Sequence, residues 1–234
     1  MPLPTRPNVL LITSDQHHWN TLGCQNPEVK TPAIDRLAGD GVLFERAYCP
    51  NPTCTPTRAS IITGKYPSQH GAWSLGTKLP ESEHTVGEDF QKAGYRTAIV
   101  GKAHFQPLKG TGEFPSLESY PIMQDLDFWR EFHGPFYGFQ RAELARMHAD
   151  EGHVGQHYAL WMEEKGLKDW RRHFRPPRRH GGTPASPMVP TGTIPLQRVD
   201  RRANERDTRT VRADRNAVFC LGQFFRSAHP LPCS

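Results

Sequence analysis

The 234-residue sequence lacks long apolar runs. No stretch approaches the roughly 20 consecutive apolar residues that a membrane-spanning helix requires. Residues 1–7 contain no apolar core of a secretory signal. We therefore expect a cytoplasmic protein without a membrane partner.

Cysteine and apolar residues are also scarce. The five cysteines are irregularly spaced, which excludes a disulfide framework and a zinc pattern. Hydrophobic residues make up 36% of the chain and the mean hydropathy is -0.66, both low for a compact α/β enzyme. The composition predicts that part of the chain is poorly packed.

Lysine is absent from residues 175–234, which carry eleven arginines and four acidic residues. This segment therefore produces the basic balance of the chain, whose net charge is +5. Binding of nucleic acid commonly combines basic and aromatic side chains. Because residues 175–218 contain no aromatic side chain, a nucleic-acid partner is disfavoured.

Residues 178–234 also lack helical and strand periodicity. We predict a folded part over residues 1–177 and an aberrant, poorly ordered tail over residues 178–234. Intrinsic disorder is one explanation. A shifted reading frame is the favoured one, because residues 221–229 can be encoded so that the +1 frame reads Trp-Ala-Ser-Phe-Phe-Asp-Pro-His.

Strands and helices alternate in the folded part. The predicted elements are buried strands over residues 8–13 and 96–101, helices over residues 32–38, 56–62 and 85–93, and a weaker helix over residues 141–165. Thr85 and Glu88 predict a capping box, and residues 105–135 predict a long surface excursion. This order indicates an α/β fold with a mostly parallel sheet and flanking helices.

Cys54 stands just before the second predicted helix, in the run Cys54-Thr55-Pro56-Thr57-Arg58. The proline suits a first helical turn. The unpaired N–H groups of a helix start favour an anion or a thiolate. A lone cysteine is more often an ordinary buried thiol, but Pro56 and Arg58 favour a reactive one here.

Further polar groups follow the two predicted strands. Asp15 and Gln16 follow the first, and their oxygens suit Ca²⁺, Mg²⁺ or Mn²⁺, although a lone aspartate there is often only a cap. Lys102 and His104 follow the second and can face one cleft; the plain alternative is a solvated lysine and a loop histidine. We expect all four at one edge of the sheet.

These motifs resemble, in order and spacing over residues 7–175, the signature of the sulfatase family of the alkaline-phosphatase-like superfamily. The residues that carry the resemblance are Asp15-Gln16, Cys54-x-Pro56-x-Arg58 and Lys102-x-His104. The resemblance implies that a formylglycine-generating or other maturing enzyme oxidises Cys54 to formylglycine. It also implies a metal site formed by Asp15, Gln16 and the modified Cys54, with Ca²⁺ as the metal and Mn²⁺ or Mg²⁺ as alternatives.

The resemblance implies a role for each remaining site residue. Arg58 holds the formylglycine hydrate, Lys102 binds the transferred anionic group of the substrate, and His104 contacts the formylglycine hydroxyl at the substrate site. The implied reaction is the metal-dependent hydrolysis of a small-molecule sulfate ester.

Two alternatives follow from departures from the family pattern. Asp15-Gln16 resembles the phosphonate monoester hydrolase branch rather than the commoner Asp-Asp pair, which makes phosphate or phosphonate monoesters alternative substrates. The resemblance ends near residue 175, so only the N-terminal part of the fold is expected here. The family's remaining metal ligands lie in its C-terminal half and are therefore not expected in this chain. Weak metal binding and little turnover follow, and a catalytically inactive truncated remnant is the second alternative.

Overall fold

The structure is a computed structural model that describes residues 6–15, 17–112, 114–146, 154–174 and the backbone of 218–224. In chain order its elements are β1 (Val9–Ser14), α1 (Pro32–Asp40), α2 (Cys54–Thr63), α3 (Pro67–His70), α4 (Val86–Lys92), β2 (Arg96–Gly101), a 3₁₀ turn (Ile122–Gln124), α5 (Leu126–Glu131), β3 (Arg141–Leu144), α6 (Gln156–Glu164), α7 (Trp170–His173) and β4 (Val218–Phe224). None of these helices is long and apolar enough to cross a membrane.

The strands form one parallel sheet in the order β1-β4-β2-β3. In its register, Cys220 of β4 lies between Leu10 of β1 and Ala98 of β2. The predicted α/β architecture is confirmed. β4 lies within residues 178–234, where the sequence has no strand periodicity, because its apolar run is too short for periodicity to reveal. The rest of the predicted tail lies outside the described residues.

The main core packs α2 against β2 and the segment that follows it. Its largest fully buried side chains include Ile62, Ile99, Phe105, Trp129 and Phe139. Two of these, Phe105 and Trp129, come from residues 105–135, so the predicted surface excursion is wrong in part. Aromatic side chains bury large apolar areas, and here they hold the chain beyond β2 against the sheet.

The first strand differs from its prediction in another way. Leu10 and Ile12, which point to the same face of β1, are 51% and 50% exposed, and α1 has no buried residue. The prediction of a buried strand over residues 8–13 is therefore wrong about burial, although the strand itself is confirmed. Apolar runs predict a strand, but they do not show what covers it.

Helix ends were predicted with mixed success. Gly64 and Gly94 adopt left-handed φ angles of 69° and 82°, and the N–H of Gly64 donates to the Ser60 carbonyl, as the end of α2 requires. The capping box at Thr85 is wrong, because its hydroxyl donates to the Tyr137 carbonyl at 2.9 Å instead of capping α4. The weak helix predicted over residues 141–165 is confirmed in its last part by α6, whereas its first residues form β3.

Candidate active site

Cys54 is the first residue of α2 and is half-buried. The loop before it is fastened by Asn51, whose side chain accepts the Thr53 N–H at 2.8 Å and whose carbonyl accepts the Thr57 hydroxyl. Pro56 lies in the first turn, where the N–H it lacks would have no helical partner. The sulfur is therefore held at the N-terminal end of a ten-residue helix.

Lys102 joins the ends of two strands and the start of α2. Its Nζ donates to Asp15 Oδ2 at 2.5 Å and to Cys54 Sγ at 3.3 Å. The side chain is only 1% exposed. Parallel strands end at the same edge of the sheet, so the residues that follow β1 and β2 reach the same point although β4 lies between them.

Arg58 lies one turn along α2 and contacts both Asp15 and Lys102. Its Nη2 lies 3.5 Å from Asp15 Oδ1, and its Nη1 donates to the Lys102 carbonyl at 3.0 Å. Burial lowers the pKa of Arg58, and the charge of Asp15 opposes that change. A guanidinium nevertheless stays protonated in proteins. Asp15 is thus held between two cations.

His104 is buried in an unusual conformation beyond β2. Its φ is 54°, and neither ring nitrogen has a hydrogen-bond partner among the described residues. Burial first, and the charges of Lys102 and Arg58 next, hold the pKa of His104 well below its usual range. The ring is therefore neutral, and one of its nitrogens can accept a hydrogen bond from a ligand.

A small cleft adjoins Arg58 and Lys102. Its remaining lining residues are mainly apolar: Thr13, Ile61, Ile62, Val100, Ala103 and Phe105. Apolar walls lower the local dielectric constant, which strengthens the interaction of these cations with any nearby charge.

The predicted site residues fall into two groups. Asp15, Cys54, Arg58 and Lys102 come together through direct contacts, and the charges of this group act on His104. Gln16 lies outside the described residues. Glu118, a buried carboxylate that contacts the His104 backbone, is not among the predicted site residues. No local motif marks it, because its partners lie twelve to fourteen residues away.

The described residues near Cys54 do not by themselves form a site for a hard divalent cation. Such ions take six or more oxygen ligands. Asp15 is the only carboxylate in direct contact with the Cys54–Lys102 group among the described residues, and both of its oxygens face cations. A metal would have to displace at least one of these ion pairs.

A second cluster of metal-ligating types lies elsewhere, where ligand atoms of His133, Glu143 and His157 fall within 4.8 Å of one another. Nδ1 of His157 accepts the Leu144 N–H at 2.9 Å, and its Nε2 donates to the Phe132 carbonyl at 2.7 Å. Both nitrogens of this histidine are therefore already engaged. The cluster ties the residues that follow α5 to β3 and α6, and it is not a ready-made metal centre.

Comparison with known proteins agrees with this geometry. The family model described as Sulfatase matches residues 7–151. An ulvan-active sulfatase of Formosa agariphila is 38% identical over 128 residues, covering 54% of this chain and 24% of that protein. The N-acetylgalactosamine-6-sulfatase of Homo sapiens is 36% identical over 126 residues, covering 45% of this chain and 24% of that protein.

Solved structures give the same picture. The phosphonate monoester hydrolase of Agrobacterium radiobacter matches with a TM-score of 0.64 and 26% identity, covering 96% of this chain and 42% of that one. The Ps i-CgsB complex with k-i-k-neocarrahexaose matches with a TM-score of 0.60 and 21% identity, covering 97% and 47%, and shows likeness of fold alone. The chain spans about a quarter of the length of the curated relatives it matches.

Proposed function

Because the chain belongs to the sulfatase family, we propose that it carries the reactive part of a sulfate ester hydrolase site, with Cys54 as the precursor of formylglycine. The observation that supports the proposal most directly is the contact of one buried ammonium, Lys102 Nζ, with both Cys54 Sγ and Asp15 Oδ2. Formylglycine supplies a hydrated aldehyde as nucleophile and releases sulfate by returning to the aldehyde.

The surrounding side chains suit the transfer of an anionic group. Lys102 and Arg58 are cations in a partly apolar setting, where they stabilise negative charge that develops on the transferred group. His104 is neutral and has unpartnered ring nitrogens among the described residues, so it can accept a hydrogen bond from a hydroxyl on the residue derived from Cys54 and orient it.

We assign no step to a metal ion. The described donor set is one carboxylate already paired with Lys102 and Arg58, which falls short of what Ca²⁺ or Mg²⁺ requires. We therefore expect the chain to mature at Cys54 but to turn over sulfate esters slowly, because the described residues offer a metal ion only this one carboxylate.

The test is to co-express the chain with a sulfatase-maturing enzyme and to label aldehydes with a hydrazide reagent. We expect peptide mass spectrometry to find the label on the peptide that contains Cys54, and to find none there in Cys54→Ala. Cys49, an exposed free thiol with neither a proline two residues after it nor an arginine four residues after it, provides the matched control, since Cys49→Ala should label like the wild type. An unmodified thiol at Cys54, under conditions that convert a full-length sulfatase, would refute the proposal.

Hydrolysis of p-nitrophenyl sulfate by an unlabelled portion of the same matured preparation then measures turnover. Slow hydrolysis that Cys54→Ala abolishes is the expected result. Rates equal to those of full-length sulfatases would show that the described cations suffice and that the expectation of weak turnover is wrong.

A phosphonate monoester is the second candidate substrate. It is favoured by the likeness to the phosphonate monoester hydrolase of Agrobacterium radiobacter, at 26% identity over nearly the whole chain, and by the Asp15-Gln16 sequence. Parallel assays with p-nitrophenyl sulfate and p-nitrophenyl phenylphosphonate distinguish the two, because the preferred anion gives the higher kcat/KM.

A further inference from the structure

Glu118 is a fully buried carboxylate that the proposed chemistry does not use. Its Oε1 accepts the His104 backbone N–H at 2.7 Å, and its Oε2 accepts the Gln106 backbone N–H at 2.9 Å. The two oxygens of one side chain therefore bind two backbone donors of this loop, one on each side of Phe105.

This arrangement depends on the backbone conformation of His104. A left-handed residue turns its own N–H and the next ones to the same side, which forms a concave site for an anion. The φ of His104, 54°, is of this kind. A residue other than glycine adopts a left-handed φ only at an energetic cost. The hydrogen bonds to the Glu118 carboxylate offset this cost, which the loop would otherwise relieve by changing its backbone conformation.

The segment that carries Glu118 is itself fixed. The Leu117 N–H donates to Gln106 Oε1 at 2.6 Å, and the Glu118 N–H donates to Ser116 Oγ at 3.0 Å. On the other side of the loop, the Phe105 carbonyl accepts the Leu79 N–H at 2.9 Å. The loop beyond β2 is thus held from both sides, with Glu118 at its centre.

We propose that Glu118 is a positioning residue that fixes the backbone of His104 and so holds the imidazole beside the Cys54–Lys102 group. The inference rests on the proposed function for the role of His104, but the placement of the ring can be tested without any turnover. A carboxylate is required, because an amide at this position would point its NH₂ group at one of the backbone donors.

The experiment compares Glu118→Gln with Glu81→Gln in the full chain. Glu81 contacts the same loop through the side chain of Gln106 at 3.3 Å but accepts no backbone N–H from residues 104–106, which makes it a matched control. Diethyl pyrocarbonate modifies accessible neutral imidazoles, so the rate of modification at His104 reports its burial, with the exposed His18 as the internal reference.

In Glu118→Gln we expect modification of His104 and amide exchange over residues 104–106 to rise by at least about tenfold, well below the unfolding midpoint, because two backbone hydrogen bonds are weakened. Glu81→Gln should stay within about twofold of the wild type. Wild-type rates at His104 in Glu118→Gln would overturn the proposal. So would a fall in stability that leaves His104 protected.

If Glu118→Gln does not fold, hydrogen exchange of the unmodified chain decides instead. The His104 and Gln106 amides should then exchange as slowly as those of β2, and exchange at the rate of exposed loops would overturn the proposal. Any turnover by the matured Glu118→Gln chain should show a lower kcat with KM within about threefold of the wild type. Failure of Cys54 to convert in every variant would instead count against the proposed function and leave this placement standing.

Discussion

The buried Asp15–Lys102 pair gives the sharpest test of how this site is built. The Lys102 side chain is 1% exposed and that of Asp15 is 12% exposed, with 2.5 Å between Nζ and Oδ2. Truncating one partner of such a pair leaves a buried charge without its counterion, which costs about 3–5 kcal/mol of unfolding free energy. Replacing both partners together costs far less, because no buried charge of the pair remains.

We therefore predict a strongly non-additive double-mutant cycle for Asp15→Asn and Lys102→Met. Asp15→Asn alone should lower the urea midpoint by about 1.5–2.5 M, given a slope of about 2 kcal/mol per M. The double variant should recover at least about 2 kcal/mol of that loss. Arg58 limits the recovery, since it also faces Asp15.

Fluorescence of the fully buried Trp129 and Trp170 follows the urea transition. The matched control is the pair Lys65–Glu83, which has the same 2.5 Å separation but a lysine that is 43% exposed. Its coupling energy should be below about 1 kcal/mol, because water screens exposed charges. Additivity of the Asp15 and Lys102 substitutions to within about 0.5 kcal/mol would refute the reasoning.

Two further predictions concern stability. Burial lowers the pKa of His157 below its usual value of 6.5. As the pH falls, this histidine is therefore protonated in the unfolded chain before it is protonated in the folded one. The unfolding free energy should then fall below pH 6.5 by up to about 1.4 kcal/mol per pH unit. His157→Gln should reduce this slope in urea melts at several pH values. It should not remove the slope, because burial also lowers the pKa of His70. An unchanged slope would contradict the prediction that His157 contributes to it. Gly64→Ala should destabilise the chain by about 1 kcal/mol because of its left-handed φ, whereas Gly39→Ala, inside α1 with open space around it, should stabilise it by about 0.5–1 kcal/mol. Thermal midpoints that shift in the same direction for both would show that backbone conformation is not the cause.

Local signals made part of this structure predictable. The strands at residues 9–14 and 96–101 and the helix that begins at Cys54 follow from short apolar runs, prolines and glycines that act within a few residues. The convergence of Asp15 and Lys102 follows from a general property of parallel sheets. These inferences needed no knowledge of contacts between distant segments.

The remainder depends on such contacts. Thr85 has the sequence of a helix cap, but a carbonyl 52 residues away takes its hydroxyl. Glu118 lies in a segment rich in proline and glycine, and only the fold brings its carboxylate within hydrogen-bond distance of the His104 backbone. The exposure of Leu10 on β1 likewise reflects what lies beside the strand rather than its composition. A single sequence contains no signal for any of the three.

The charges at the site also favour the binding of an anion. Among the described residues, the cations Arg58, Lys102 and Arg146 act on His104 or on the carboxylates of Asp15 and Glu118. A sulfate or phosphonate monoester carries a negative charge that Arg58 and Lys102 would stabilise in this partly apolar setting, and it would do so beside the sulfur of Cys54. Inorganic sulfate should therefore raise the thermal midpoint of the wild type more than that of Lys102→Met, and equal stabilisation of both would show that the anion acts on the protein surface in general.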